Sequence, residues 1–333
     1  MKHSPESVGV LRVRAINRVA FATSLTKRRL EAILEPKAQE LAPTEVDDGS
    51  PKLFLQQKVT AFEKVNETLI KHKRLFVNEL TPEIVAQTTA SMSRKAFLEH
   101  TIDIVPGTER IPNRPYYRMS QEEQEECQRQ IKKYLDAGMI RPSKSPYGAA
   151  VLFAPKKNNK LRFCVDYRPL NEITVKNAVQ PPDADDCLNQ LSEGKIFSTM
   201  DLAQGYHQVP IKEEDRHKTA FNTKYGHYEW NQLCFGLCNA PATFVSALNA
   251  IFSGEAYRLH PSSSLVRNLT PEQLERRSRS LLDDFMCIYV DDIICYSKTP
   301  EEHAAHLDEI LERLADFDIY VQSPKSFFAQ DSV

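Results

Sequence analysis

The sequence predicts an α+β protein, and three observations carry that prediction. Some segments place apolar residues at steps of three and four, the spacing of a helix face. Others are short blocks rich in β-branched and aromatic residues, bounded by polar turns. The two kinds follow one another in an irregular order. With 333 residues, 41% hydrophobic and 26% charged, the chain has material for two or three soluble domains with a sizeable core.

Residues 1–100 read as helical. Arg12, Arg14, Arg18, Arg28 and Arg29 suit an amphipathic helix with a solvated basic face, and no apolar signal region accompanies them. The stretch 42–52 is a polar linker, and Leu55, Val59, Phe62, Val65 and Leu69 form one apolar helix face. Residues 101–118 are punctuated by proline and read as an extended linker. Ser120, followed three positions later by Glu123, is a capping box opening a helix that runs to Gly138. AAVLFAP (149–155) and LRFCVDY (161–167) are strands joined by the polar turn KKNNK. Further strands are expected at 196–201, 207–211 and 227–233, and a helix at 240–252. The polar stretch 253–282 reads as an inserted loop. Two apolar runs then flank Asp291 and Asp292 within 285–297, and Thr299, Pro300 and Glu302 cap a last helix. His303 and His306, three apart on that helix, read as helix surface.

The formal net charge of -2 excludes a uniformly basic nucleic-acid coat, yet it hides two opposed blocks. Residues 128–168 carry ten Lys/Arg and two acids, whereas 281–318 carry eleven acids and two bases. Basic surface attracts phosphate, and clustered carboxylates hold divalent cations. The seven cysteines are odd in number and form no CxxC pair, which fits reduced thiols in an intracellular protein. No apolar run is long enough to span a bilayer.

Three carboxylates stand where apolar strands end. Asp201 closes IFSTM, and Asp291 and Asp292 lie between Tyr289-Val290 and Ile293-Ile294. Charges in such surroundings are costly unless a cation neutralises them. A pair of divalent ions would do so, and Mg²⁺ suits few carboxylates completed by phosphate and water.

At this point the motifs resemble a family. Tyr289-Val290-Asp291-Asp292 resembles the YxDD signature of reverse transcriptases. RPSKSPYGAAVLFAPKKNNKLRFCVDYRPLN (141–171), FSTMDLAQGYHQVPI (197–211), TAFNTKYGHYEWNQLCFGLCNAPATF (219–244) and KTPEEHAAHLDEILERL (298–314) are similar, in the same order, to segments of the Ty3/gypsy group of LTR retrotransposons. Cys234 stands where the family usually has proline. The resemblance covers about 101–330. It implies a right-hand polymerase with a mostly antiparallel palm sheet packed on helices. Fingers are expected at about 119–176 and 208–240, palm at about 177–207 and 241–333 with the insertion 253–282, and the thumb is absent.

The resemblance also implies site roles. Asp201, Asp291 and Asp292 would be catalytic, binding two Mg²⁺ (Mn²⁺ being the alternative ion) with the carbonyl of Leu202. Lys156, Lys157 and Arg162 would meet the triphosphate, together with the backbone amides of Ala203 and Gln204. Tyr206 would be the wall that excludes a 2′-hydroxyl, and Phe235 and Gly236 would shape the pocket. Lys325 would approach the leaving pyrophosphate. Asp166, Arg168, Asn171 and Tyr289 would touch or support template and primer. The implied partners are an RNA or DNA template with its primer, deoxynucleoside triphosphates and other parts of a retroelement polyprotein, with no membrane. The implied location is intracellular, in cytoplasmic virus-like particles or the nucleus, and not secreted. The function implied is an RNA-directed DNA polymerase core. The competing readings are an inactive remnant that at most binds nucleic acid, and another two-metal palm protein such as a nucleotide cyclase.

Overall fold

A computed structural model describes residues 63–90, 99–155, 161–177, 184–192, 194–259, 264–282, 284–289 and 292–330. The readings for 1–62, Leu55, Val59 and Phe62 among them, lie outside these residues.

The described chain opens with a helix at 63–71 (α1), followed by strand β1 (Phe76–Val77) and helix α2 (Pro82–Ala90). Residues 99–119 hold no helix or named strand, turn at Gly107, and bridge to the rest at His100, Ile104 and Asn113. Helix α3 (Gln121–Asp136) starts at the expected capping box. The Ser120 hydroxyl accepts the Glu123 N–H, and the Glu123 carboxylate accepts the Ser120 N–H. Gly138, at φ 68°, turns the chain out of the helix.

Strands β2 (Ile140–Pro142), β3 (Ala149–Pro155) and β4 (Leu161–Asp166) come next, followed by helices α4 (Arg168–Ile173) and α5 (Ala184–Leu191). Strands β5 (Ile196–Asp201), β6 (Phe221–Thr223) and β7 (Gly226–Trp230) precede helix α6 (Ala240–Phe252). Three short helices follow, α7 (Glu255–Arg258), α8 (Ser264–Arg267) and α9 (Pro271–Ser278). The last elements are β8 (Met286–Tyr289), β9 (Asp292–Ser297), α10 (Pro300–Asp316), β10 (Val321–Gln322) and β11 (Phe327–Gln330).

The strands form two principal sheets. One has five strands in the order β2-β7-β6-β3-β4, with β3 parallel to β6 and the other neighbours antiparallel. The other is antiparallel throughout, in the order β11-β5-β9-β8. Helix α10 packs on β5 and β9. Leu307, Ile310, Leu311 and Leu314, at helical spacing on α10, are fully buried, as are Met200, Ile293 and Cys295 of the sheet. Burial of such side chains is worth about 1.5–3 kcal/mol each relative to exposure, which fixes the helix to the sheet. β1 pairs in parallel with β10, tying the start of the described chain to its end.

Three expectations are corrected. The stretch 207–211 is not a strand. Gly205–Gln208 forms a 3-10 turn, and Pro210 and Ile211 make only isolated bridges. His303 is not helix surface. It is fully buried, with Nε2 2.7 Å from Ser198 Oγ on β5 and Nδ1 2.9 Å from Ser297 Oγ on β9. His306 is half-buried, stacked on Phe285 and within 2.8 Å of Ser297 Oγ.

The third correction is that 253–282 is no loop. It carries α7, α8 and α9 and contributes Ala256, Tyr257, Val266 and Leu281 to the core. Its polar residues hide this because they are paired with α10. Arg277 meets Glu312 at 2.8 Å and Asp316 at 2.7 Å, and Tyr257 donates to Asp316. Fully buried Arg313 of α10 donates in return to the carbonyls of Ile251, Phe252, Arg276 and Arg279. All seven cysteines are free, five of them buried. Among the described residues no helix is long and apolar enough to cross a membrane.

Candidate active site

Strand pairing sets the centre of the site. In β5–β9, Asp201 is the direct register partner of Asp292, and Asp292 also pairs with Tyr289 across the β8–β9 hairpin. Direct partners in an antiparallel pair project to the same face. Two carboxylates are therefore set side by side at one end of the sheet, an arrangement that disfavours the strand pairing unless positive charge is supplied. Lys325, just before β11, places its Nζ 3.1 Å from Asp201 Oδ2. This ammonium is more than half exposed, so it is a loose counterion. Asp291 and Val290 lie outside the described residues, and no cluster of three metal-ligating His, Cys, Asp or Glu occurs among the described ones. The donor set of Asp201 and Asp292 is hard oxygen, the chemistry that suits Mg²⁺ or Mn²⁺.

The turn after β5 is held from below. The Asp201 N–H donates to Ser326 Oγ, and the Ala203 N–H donates to the Tyr320 carbonyl at 2.9 Å. This corrects the expectation that the Ala203 amide is free for a triphosphate, because the backbone of Tyr320 takes it. Leu202 is buried and bridges to Val321. Gln204 then reverses the chain in the left-handed region, at φ 49° and ψ 48°. Buried Gln208 locks the turn, donating to the carbonyls of Ala203 and Tyr320 and accepting the Tyr320 N–H. No local sequence signal marks Gln208, since two of its three hydrogen bonds go to Tyr320, 112 positions away.

Beside this turn stands an aromatic wall. The Tyr206 ring lies 4.9 Å from Phe235 and 5.2 Å from Phe244. Gly205 permits this approach, because a Cβ there would come within 2.7 Å of the Phe244 ring. Phe235 remains 55% exposed, a large apolar ring left in solvent. Gly236, at φ 100°, packs on the backbone of Val165. Asn171 staples this loop, donating to the Gly236 carbonyl at 2.8 Å and accepting the Cys238 N–H at 2.9 Å. Asn171 thus supports the loop with both ends of its amide.

On the five-stranded sheet, Arg162 is exposed, with Ala154 as its cross-strand partner. It makes no ion pair with Asp166, four positions along the same strand. Asp166 instead accepts both arms of Arg168, at 2.7 and 2.8 Å, and the Tyr117 hydroxyl at 3.1 Å. The Arg168 fork holds the Asp166 carboxyl down at about 2. Lys156 and Lys157 lie outside the described residues. Tyr289 is 39% exposed at the edge of the four-stranded sheet.

Residues 154–333 match the family described as reverse transcriptase (RNA-dependent DNA polymerase). Over 217 residues the chain is 36% identical to the retrovirus-related Pol polyprotein from transposon 297 of Drosophila melanogaster, covering 64% of this chain and 18% of that protein. The Pol polyprotein from transposon gypsy of the same fly is 32% identical over 210 residues, covering 61% of this chain and 18% of the relative. The enzymatic polyprotein of Cauliflower mosaic virus (strain D/H) is 28% identical over 311 residues, 92% of this chain and 41% of the viral protein. The chain thus spans less than half the length of these curated relatives. Among solved structures, the foamy viral protease-reverse transcriptase in complex with RNA/DNA hybrid superposes with a TM-score of 0.59 at 20% identity. That match covers 87% of this chain and 35% of the viral one.

Proposed function

The chain belongs to the reverse transcriptase (RNA-dependent DNA polymerase) family, and from that premise we propose that it extends a primer 3′-hydroxyl with deoxynucleoside triphosphates on an RNA or DNA template. The observation that carries this reading is the register of Asp201 opposite Asp292, two carboxylates brought to one face, with an exposed lysine at Asp201.

Asp201, Asp292 and the Leu202 carbonyl, joined by Asp291, would hold two divalent ions. When bound, such ions supply charge stabilisation to the attacking and leaving oxygens of an in-line phosphoryl transfer. The five-stranded sheet serves as fingers and the four-stranded sheet as palm. Arg162, exposed on β4, meets the triphosphate together with Lys156 and Lys157, its planar fork matching phosphate oxygens. Gln204 orders the turn beneath that tail. Tyr206, braced by Phe235 and Phe244, presents a ring edge to the sugar, so a 2′-hydroxyl is excluded by shape. Gly236 lets the pocket floor lie close to β4. Lys325, whose exposed ammonium lies beside Asp201, would approach the departing pyrophosphate. Asp166 and Arg168 on one side and Tyr289 on the other would flank template and primer. The polymerase acts within a cell as part of a retroelement polyprotein.

The test is primer extension on poly(rA)/oligo(dT) with dTTP, with and without Mg²⁺. Mg²⁺-dependent elongation supports the reading. Template binding with no elongation by the full chain under Mg²⁺ or Mn²⁺ would overturn it in favour of a non-catalytic nucleic-acid binder.

A further inference from the structure

Helix α10 lays a row of buried leucine and isoleucine side chains on the four-stranded sheet, and beside them it buries a histidine. His303 Nε2 lies 2.7 Å from Ser198 Oγ on β5, and Nδ1 lies 2.9 Å from Ser297 Oγ on β9. Ser198 Oγ also accepts the N–H of Ala329 on β11 at 3.0 Å. One ring thus gathers three of the four strands of this sheet.

These bonds have a direction. Ser198 Oγ is already an acceptor, so its own proton goes to Nε2. The ring proton then sits on Nδ1 and donates to Ser297 Oγ, whose hydroxyl donates to Nδ1 of His306 at 2.8 Å. A neutral ring serves every group. Burial, which holds the His303 pKa down to about 4, keeps the ring neutral at pH 7.

The cluster lies behind the carboxylates. Ser198 and Met200 of β5, with Ile293, Cys295 and Ser297 of β9, alternate along their strands and are buried beneath α10. By the same alternation Asp201 and Asp292 face away from the helix. No short turn joins β5 to β9, because the whole of 202–291 lies between them, so no hairpin sets their register. A slip of one residue would turn Asp201 toward the helix, which burial forbids. A slip of two keeps apolar side chains under the helix, and burial alone resists it little. It would still part Asp201 from Asp292. It would also carry Ser198 ~7 Å along the sheet, out of reach of His303. A hydroxyl and a ring nitrogen would then lie buried without partners.

We propose that His303 is a positioning residue of the active site: by clasping Ser198 and Ser297 it pins the one register of β5 on β9 that sets Asp201 opposite Asp292. It acts through the sheet, from the face opposite the carboxylates, and touches no substrate. The inference rests on the polymerase reading for what the carboxylates do, whereas the register is a property of the fold. Specifying register is the best-attested use of a buried polar contact among apolar ones.

The experiment compares the full wild-type chain with His303→Leu and with a triple variant, Ser198→Ala, Ser297→Ala and His303→Leu. The single variant strands two hydroxyls and should lower the thermal transition. The triple variant replaces both ends of each bond by apolar groups, so its transition should stay close to that of wild type. Amide hydrogen exchange needs neither metal nor substrate. In the triple variant 196–201 and 292–297 should exchange at least about tenfold faster, with 300–316 unchanged. Mn²⁺ binding, followed by electron paramagnetic resonance without nucleotide or primer, should weaken by about tenfold or more. In primer extension kcat should fall by about a hundredfold, the cost of misplacing reacting groups by about 1 Å, with KM for dTTP within a factor of about two. Wild-type exchange in both strands of the triple variant would overturn the proposal, whatever the chain's activity. So would wild-type Mn²⁺ affinity and kcat alongside accelerated exchange, since the register would then not govern the carboxylates. A wild-type chain that neither binds Mn²⁺ nor extends primers would overturn the polymerase reading instead, and the exchange result would still decide the register.

Discussion

Two carboxylate centres in this molecule are built on opposite plans. On the five-stranded sheet, Asp166 is buried and saturated by a bidentate arginine, a phenol and a backbone N–H. On the four-stranded sheet, Asp201 faces a like charge at Asp292 and is answered by one exposed lysine. A carboxylate whose acceptor capacity is filled by its own chain is spent on holding that chain together. One set against another carboxylate, with a loose counterion, fits the proposed role of holding a cation from outside. The contrast separates scaffold from chemistry without reference to any relative.

The sharpest way to break this comparison is Asp201→Asn. Extension should fall by at least about a thousandfold, because the charge that holds the ion is gone. The thermal transition should hold or rise, since a like-charge pair is relieved. A large loss of stability would place Asp201 in the scaffold class. Next in size, Arg313→Met should destabilise the fold by about 3–4 kcal/mol, read by urea unfolding, because it removes the buried guanidinium that bonds four carbonyls at the end of α6 and around α9. An undiminished midpoint would restore 253–282 to the status of a dispensable loop.

Tyr206→Val should raise the ratio of kcat/KM for ribo- over deoxyribonucleotides by about 10–100-fold, the range available to a steric pocket wall. An unchanged ratio would make Tyr206 core packing. The smallest effect is in acid. The Asp166 carboxyl is depressed from 3.8 to about 2, so its stabilisation is complete above pH ~4 and is lost as pH falls through about 2. Asp166→Asn should therefore cost about 1–2 kcal/mol at pH 7, discounted because Arg168 is exposed, and nearly nothing at pH 2. Buried His207 and His303, held down to about 4 by desolvation, act in a different window. Their contribution is complete above pH ~6.5 and is lost on acidification toward 4, where the unfolded chain binds protons that the native one refuses. The stabilities of the wild-type and Asp166→Asn chains should therefore run parallel above pH ~4 and converge below it.

Features written in a few adjacent residues were legible in the sequence. The boxes at Ser120/Glu123 and Thr299/Glu302 form as expected, and strands β3, β4, β5, β8 and β9 fall on their apolar blocks. The candidate carboxylates at Asp201 and Asp292 were legible because apolar neighbours made their charge conspicuous. What escaped reading depends on partners distant in sequence. Gln208 looks like any polar turn residue until Tyr320 arrives, and His303 looks like surface until Ser198 and Ser297 close on it. The helices within 253–282 were masked by their charge, because pairing with α10 makes buried arginine affordable. The Ala203 amide was misjudged for the same reason, its acceptor being a backbone carbonyl far along the chain.

The placement of β5 between β9 and β11 bears on how the protein comes into being. Phe197 pairs with Tyr296 on one side and with Gln330 on the other, and the lysine that steadies Asp201 lies 124 positions downstream. A ribosome emits Asp201 long before any of these partners. While the polypeptide is still emerging, the five-stranded sheet, whose strands all precede residue 231, can already be complete. The acidic face cannot. The proposed chemistry would therefore be completed late in synthesis, after the five-stranded sheet has formed.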